Sequence, residues 1–539
     1  MDTDTGAGAP HRPGRLSVPT ATLIAVSVTT FMLPLDYTIV SVALHDIQES
    51  LHTGYAGLQW VVNGYTLTFA ALLMAGGTLG DRYGRKRLFM SGTGVFTLAS
   101  LLAGLAGSAL VLNLARGVQG VGAALMFAAA VPLLTQEFQG RARARAFAVF
   151  GVAVGTGAGL GPLLGGLIVS GLGWRWAFLL NVPVGAAMLL LTRARVRESR
   201  DPRAGRVDWT GMAVFTAGSG ALVYALIAAP DSGWSSLPVL LALAVTAVSC
   251  VAFAVVERRH SYPMFDLELF RRPAFVGASI AALVLSVSYW GIFLYTPLYL
   301  QISHGYSPLE AGLAALPFAL PGLFVPRLGE YLAHRMRGGA LLALGQALVA
   351  AGTLWLFLSV SAGSGWPAIV GGALVSGAGT GLINGEMTNV AMSAAPDNRA
   401  GMASGINATM RQIGVALGFA GLGSVLAARV IARLGDLSSG EPGVAGHLHD
   451  LGKQVVAGNI GSAADRLPPA SREAFVHASR NSFYSGLHLI LAVAAAVALA
   501  GAVATYVLTR HDGRGGGTTV VAGGSADSTE AVPTAGVPL

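Results

Sequence analysis

Charge is scarce in this sequence: only 11% of its 539 residues are Asp, Glu, Lys or Arg, against about a quarter in soluble domains. With 53% hydrophobic residues and a mean hydropathy of +0.62, this excludes a soluble globular protein and describes a chain that crosses a membrane many times. Cysteine is almost missing. Cys250 stands alone, which excludes an intramolecular disulfide and any cysteine-based metal site. There is no Walker loop, no HExxH and no nucleophile elbow, so the reading is not that of an ATPase or a hydrolase. No enzyme, cofactor or metal centre is expected. A pI near 9.8 would suggest a nucleic-acid partner in a soluble chain. Here the basic residues cluster in short loops between apolar runs, so they report topology and no nucleic-acid partner is expected.

What is present is a series of fourteen apolar runs, most of them long enough to cross a bilayer as a helix. The expected fold class is an all-α polytopic membrane protein. Residues 1–16 are polar and read as a disordered cytoplasmic N-terminus. The run that follows is too long for a signal-peptide core and is expected to be a retained first span. Most of the 34 Lys and Arg residues fall on alternate loops, and the positive-inside rule then places both termini in the cytoplasm and the chain in the cytoplasmic membrane. Residues 193–208 form a basic linker after the sixth run. Residues 428–482 are expected to be a long outside loop with short amphipathic helices, and the Gly- and Thr-rich tail, 511–539, to be disordered and cytoplasmic. The stretch GTLGDRYGRKR (Gly77–Arg87) after span 2 is echoed by LAHRMRGG (Leu332–Gly339) after span 10. That symmetry predicts two six-helix bundles, 17–192 and 274–510, with the linker and two inserted spans between them in 193–273.

Three groups of residues carry chemistry. In GVAVGTGAGLGPLLGGLIVSG (Gly151–Gly171), Gly157, Gly161 and Gly165 recur at one-turn intervals and form a groove where another backbone can come close, with Pro162 and Gly166 beside it. Asp36 in span 1 and Arg116 in span 4 are charges inside apolar runs, and each needs a partner or water. They predict either a static ion pair or a proton-coupling site. Glu386 near the inner end of span 12 is another such carboxylate. It is expected either to pair with Arg411 or to line a polar cavity with Asn384. Tyr289, Trp290 and Phe293 in span 9 are candidates to hold a flat apolar ligand, although aromatic residues are ordinary in membrane helices. In the loop after span 2, Asp81 sits at a helix end where it can meet a helix dipole or an arginine, and Gly84 permits a tight turn.

These stretches resemble known motifs. The pattern of Gly157, Gly161, Pro162, Gly165 and Gly166 resembles the GxxxGPxxGG signature of antiporters in the major facilitator superfamily. Gly77, Asp81, Arg82, Gly84, Arg85 and Lys86 resemble that superfamily's loop motif, with His334 in place of the aspartate in the echo. LNLARGVQGVGAA, with Arg116 and Gln119, is similar to a further family motif. LDYTIVSVAL resembles the LDxTIVNVALP pattern of fourteen-span drug:proton antiporters, with Ser41 and His45 as departures. WRWAFLLNVPVG, PMFDLELFRRPAF and RAGMASGINATMRQIGVALG extend the likeness over both bundles. The resemblance implies a major facilitator fold and proton-coupled export of an apolar or amphipathic drug or antibiotic. It makes Asp36 and Arg116 the proton-coupling residues and the Asp81 loop a conformational latch. An Ala-, Gly- and Arg-rich usage with little lysine suits an actinomycete-type exporter conferring resistance. The expected partners are a small-molecule substrate, protons and the lipid bilayer, and a monomer is expected. Two alternatives share these features: a proton-coupled metabolite transporter, and a non-transporting sensor built on the 428–482 segment.

Overall fold

Inside a bilayer every backbone N–H and C=O must be satisfied within its own segment, so apolar runs of about 20 residues fold as helices. The computed structural model describes residues 17–200, 207–260, 263, 265–361, 363–396, 399–438, 448–456, 460–465 and 467–510. Among the described residues there is no strand. Twelve helices of the described residues are long and apolar enough to cross a membrane, and two bent pairs bring the number to 14. We number them α1 (Val18–Leu51), α2 (Tyr55–Tyr83), α3 (Arg85–Gly104), α4 (Ala109–Glu137), α5 (Gly140–Leu172) and α6 (Arg175–Arg195). Then follow α7 (Trp209–Ser232), α8 (Leu237–Arg259), α9 (Pro273–His304) and α10 (Pro308–Ala333). The last four are α11 (Gly338–Ser359), α12 (Pro367–Ser393), α13 (Met402–Asp436) and α14 (Pro469–Thr509). The bent helices are α2 and α5. In α5 the break lies between Gly157 and Gly159. Pro162 causes it, because it has no N–H to offer the carbonyl four residues earlier.

The two halves pack by the same contacts. α3 and α4 meet backbone to backbone: a Cβ at Gly92 would fall 2.7 Å from Met126 N, and one at Gly122 2.5 Å from Phe96 N. Their counterparts α11 and α12 do the same at Gly352, 2.4 Å from Ser376 N, and at Gly379, 2.4 Å from the Gly345 carbonyl. α5 closes on α1 at Gly157 and the Phe31 carbonyl, while α13 closes on α9 at Gly414 and the Leu283 carbonyl, each 2.4 Å from a built Cβ. Small residues at equivalent places let backbones approach and add dispersion where lipid supplies no hydrophobic drive. Between the bundles, α2 lies on α13 and α5 lies on α10. The inserted pair covers one of these seams. Val223 and Ile227 of α7 pack with Ala416 and Ala420 of α13 and with Trp60 and Leu67 of α2. α8 lies outside α7 and exposes Leu240, Leu241, Val248 and Val251.

Among its described residues the expected outside loop 428–482 is mostly helix: short helices occur there as expected, and the two flanking spans run on into it. α13 continues as helix to Ser438, and α14 begins at Pro469 and runs for 41 residues, about 60 Å at 1.5 Å per residue, twice the apolar thickness of a bilayer. Tyr484 and His488 of α14 contact the Val360 and Phe357 carbonyls at the end of α11, so the turns before them project beyond it. Short helices Leu448–Val456 and Ile460–Ala464 lie between the two stalks, burying Leu451, Val455 and Val456. Hydropathy locates where a helix leaves lipid, not where it ends. The expected disordered segments 1–16 and 511–539 lie outside the described residues.

Candidate functional site

A cluster of fully buried polar and charged side chains lies inside the first bundle. Asp36 of α1 and Arg116 of α4 both have side chains 0% exposed, and Arg116 Nη1 donates to Asp36 Oδ2 at 2.5 Å. Two more donors reach the other carboxylate oxygen: Gln119 Nε2 at 2.8 Å and Asn181 Nδ2 at 2.9 Å, both to Oδ1. Gln119 Nε2 also donates to Ser100 Oγ at 2.9 Å. Arg116 is held through Nη1, Nε and the face of its guanidinium, while its buried Nη2 has no hydrogen-bond partner among the described residues. Its Nη1 also meets Gln119 Oε1 at 2.7 Å, its Nε donates to the Val61 carbonyl at 2.8 Å, and its guanidinium lies 4.5 Å from the Tyr65 ring centre. The carboxylate of α1 is thus met by α4 and α6, α3 supports those donors through Ser100, and α2 holds the arginine. Among the described residues this is the one ion pair with both side chains fully buried. A buried pair of this kind survives only when its remaining valences are satisfied.

The next residue on α1 faces elsewhere. Consecutive helical residues point about 100° apart, so Tyr37 leaves the bundle interior and stands at the seam with the second bundle. Its ring centre is 5.1 Å from Trp290 and 5.5 Å from Phe419. Of the aromatic candidates, Trp290 is half-buried and meets Tyr37, whereas Tyr289 and Phe293 are 5% and 1% exposed and pack against Phe318. Tyr289 Oη also donates to the Phe318 carbonyl at 2.7 Å. The half-buried rings at the seam are therefore Trp290 and Tyr37, backed by the other two. Both helices carry π-helical turns here, Ser286–Trp290 in α9 and Gly418–Leu422 in α13. These turns touch each other where a Cβ at Gly418 would lie 2.6 Å from the Val287 carbonyl.

One end of the seam is closed. Tyr55 Oη donates to the Gly423 carbonyl at 3.2 Å, Gln59 Nε2 to Tyr295 Oη at 3.2 Å, and Gln301 Nε2 to the Val42 carbonyl at 3.3 Å. The space left among Leu44, Tyr55, Gln59, Tyr295 and Phe419 is about 10 Å³, room for one water at most. All of these lie in the half away from the basic loops. In the half nearer those loops, no hydrogen bond or ion pair joins the two bundles among the described residues.

Of the two alternatives for Glu386, the pair with Arg411 is not formed. Arg411 Nη1 donates to Asn384 Oδ1 at 2.8 Å, while half-buried Glu386 accepts from Asn389 Nδ2 at 3.2 Å. Equal depth along two helices did not mean facing azimuths. The glycines fall where the groove requires. Gly157, Gly161 and Gly165 face α1, and Gly166 faces Leu309 of α10. In the loop between α2 and α3, Asp81 Oδ1 accepts from Arg85 Nε at 2.9 Å and Nη2 at 2.8 Å. Gly84 turns the chain at φ +113°, in the region glycine favours. Gly77 has no neighbour within 4 Å of a built Cβ. Sequence reading did not single out Asn181, Ser100 or Tyr37 as site residues. The available signals were a lone asparagine before Pro183 inside an apolar run and a tyrosine adjacent to the buried aspartate.

A model of the Major Facilitator Superfamily matches residues 26–419. The Multidrug resistance protein Stp of Mycobacterium tuberculosis (strain CDC 1551 / Oshkosh) is 41% identical over 414 residues, 77% of each chain. The Tetracenomycin C resistance and export protein of Streptomyces glaucescens is 34% identical over 515 residues, covering 93% of this chain and 94% of that one. Among solved structures, a bacterial homologue of the human lysosomal transporter Spinster, in an inward-facing and occupied conformation, superposes with a TM-score of 0.63. It covers 92% of this chain and 98% of that one at 17% identity, a likeness of fold.

Proposed function

Since this chain belongs to the Major Facilitator Superfamily and is a multi-pass membrane transporter, we propose that it exports an apolar or amphipathic drug or antibiotic across the cytoplasmic membrane in exchange for protons. The observation that carries the reading is the adjacency of Asp36 and Tyr37. One points to the buried donor cluster of the first bundle, the other to the aromatic surface at the seam. A change of charge on Asp36 moves α1, and α1 carries a wall of the substrate surface. Relatives named for multidrug resistance and for tetracenomycin C resistance and export support a drug as cargo. The basic loops are taken as cytoplasmic, so a seam held by hydrogen bonds only at the far end is ready to load from inside. A proton entering down 100 mV releases ~2.3 kcal/mol. At 1.4 kcal/mol per tenfold, a neutral substrate exchanged for one proton is concentrated outward roughly fortyfold per 100 mV. The test is substrate efflux from proteoliposomes under an imposed pH gradient. Export that persists unchanged when a protonophore collapses the gradient would overturn proton coupling.

Two expected results follow from the geometry. Trp290→Ala removes the half-buried ring that faces Tyr37. Losing one aromatic contact of about 0.5–1.5 kcal/mol should raise KM for an aromatic dye roughly two- to tenfold, at 1.4 kcal/mol per tenfold, with kcat little changed. A fall in kcat at constant KM would move Trp290 out of the binding surface. Asp81→Asn breaks the Arg85 pair at the end of α2, a contact that biases two conformations without touching substrate. Turnover should fall several-fold while equilibrium substrate binding stays constant, and binding that falls in step with transport would assign Asp81 a substrate role.

A further inference from the structure

α3 starts without a cap of its own. Its N-cap position is Gly84, which has no side chain to offer the unpaired N–H groups of the first turn. Those groups are taken by the linker that follows α6. Lys86 N donates to Glu198 Oε1 at 2.9 Å and Arg87 N to Glu198 Oε2 at 3.2 Å, while Arg85 N donates to the Ser199 carbonyl at 2.8 Å. Lys86 Nζ adds a bond to the Arg193 carbonyl at 3.0 Å. The absent side chain of Gly84 is what admits the carboxylate: a Cβ there would lie 2.8 Å from Glu198 Cδ and Oε1. Glycine at this position is thus needed for its positive φ and for the space it leaves.

We infer that Glu198 is a positioning residue for transport, a strap that holds the first turn of α3 and so fixes the geometry of the Asp81–Lys86 loop. A carboxylate is the right group, since it accepts two N–H donors at once and lies at the positive end of the 20-residue helix α3. Its ion pair with Arg87 is secondary, at 3.7 Å and with Arg87 79% exposed. The chain direction gives the strap its reach. It leaves α6 of the first bundle and continues to α7, which lies on both α2 and α13. Rearrangement at the α2–α3 loop is therefore tied to the segment that feeds the helix covering the seam between bundles. The inference rests on the reading of the Asp81 loop as a latch.

The experiment compares full-length wild type, Glu198→Gln, Glu198→Ala and Arg87→Gln by amide hydrogen exchange over residues 84–90 and by transport in proteoliposomes. Glu198→Ala should raise exchange at Lys86 and Arg87 about fivefold, the ~1 kcal/mol of a helix cap at 1.4 kcal/mol per tenfold. Glu198→Gln keeps one acceptor oxygen and should fall between. Turnover should drop threefold or more in Glu198→Ala with KM unchanged, and Arg87→Gln should match wild type in both measurements. Unchanged exchange in Glu198→Ala overturns the strap, and raised exchange with unchanged turnover overturns its part in transport. If Glu198→Ala is slow while Asp81→Asn transports normally, the strap stands and the latch reading of Asp81 fails.

Discussion

Gly161→Leu is expected to abolish export while leaving insertion and folding of the two bundles largely intact. At this position even a methyl group has no space, since a Cβ would fall 1.6 Å from Thr38 Oγ1 and 2.5 Å from Thr38 Cβ. Thr38 cannot swing away cheaply, because its hydroxyl donates to the Pro34 carbonyl at 2.8 Å and it sits on α1 two residues from Asp36. α5 must separate from α1. It has little room to do so, because its other face meets α10, where a Cβ at Gly166 would be 2.7 Å from Leu309 Cα and one at Gly312 2.2 Å from the Pro162 carbonyl. Overpacking a well-filled interface costs about 1–3 kcal/mol or more, which at 1.4 kcal/mol per tenfold is a loss on the order of fivefold to a hundredfold in the closed population. The measurement is dye efflux normalised to protein that elutes as a single peak in detergent. Gly161→Ala should show a smaller deficit, and adding Thr38→Gly to Gly161→Leu should restore part of the activity. Wild-type efflux from well-folded Gly161→Leu would show that the groove is dispensable.

How much of this was legible in the sequence depends on the range of the interaction. The spans and both bundles were readable, because hydropathy and loop charge are local properties of about 20 residues. The glycine faces were readable for the same reason, since one-turn spacing fixes a face before any partner is known. The Asp36–Arg116 pair was readable by elimination, as two charges in apolar runs need a neutraliser. Asn181 and Glu198 were not, because each acts on a residue 145 or 112 positions away and its local context resembles any polar break. Of the two readings of Glu386, the pair with Arg411 is the one the structure does not form. The pattern fixed their depth, but the rotation of α12 against α13 sent Arg411 to Asn384. The stalks of α13 and α14 were read as loop because polar helix above a membrane has the composition of a loop.

Asp36→Asn should abolish uphill export, and the structure gives the reason in terms of donors and acceptors. In the present arrangement both carboxylate oxygens accept: Oδ2 from Arg116, Oδ1 from Gln119 and Asn181. Oδ1 already accepts two bonds, so a proton arriving there displaces Gln119 or Asn181, and a proton arriving on Oδ2 removes the charge that holds Arg116 and weakens that contact. The contacts belong to α4 and α6, and α1 carries Tyr37 to the seam, so under the proposed proton coupling the arrival of a proton is expected to move these helices relative to one another. Substrate loaded from the basic end is then expected to bind best with Asp36 deprotonated, and protonation from the far side to help release it. Asparagine fixes the neutral state. It also leaves Arg116 as a buried charge without its counter-ion, and breaking such a pair costs about 3–5 kcal/mol, so a second variant is needed to separate coupling from folding. Arg116→Gln together with Asp36→Asn removes both charges, and should recover expression and downhill substrate exchange but no uphill export. The deciding measurement is proton release on substrate binding in weakly buffered detergent solution. Wild type should release protons and both variants should not. If Asp36→Asn releases as many protons as wild type, Asp36 is a structural member of the cluster and half-buried Glu386 becomes the carboxylate that carries the proton.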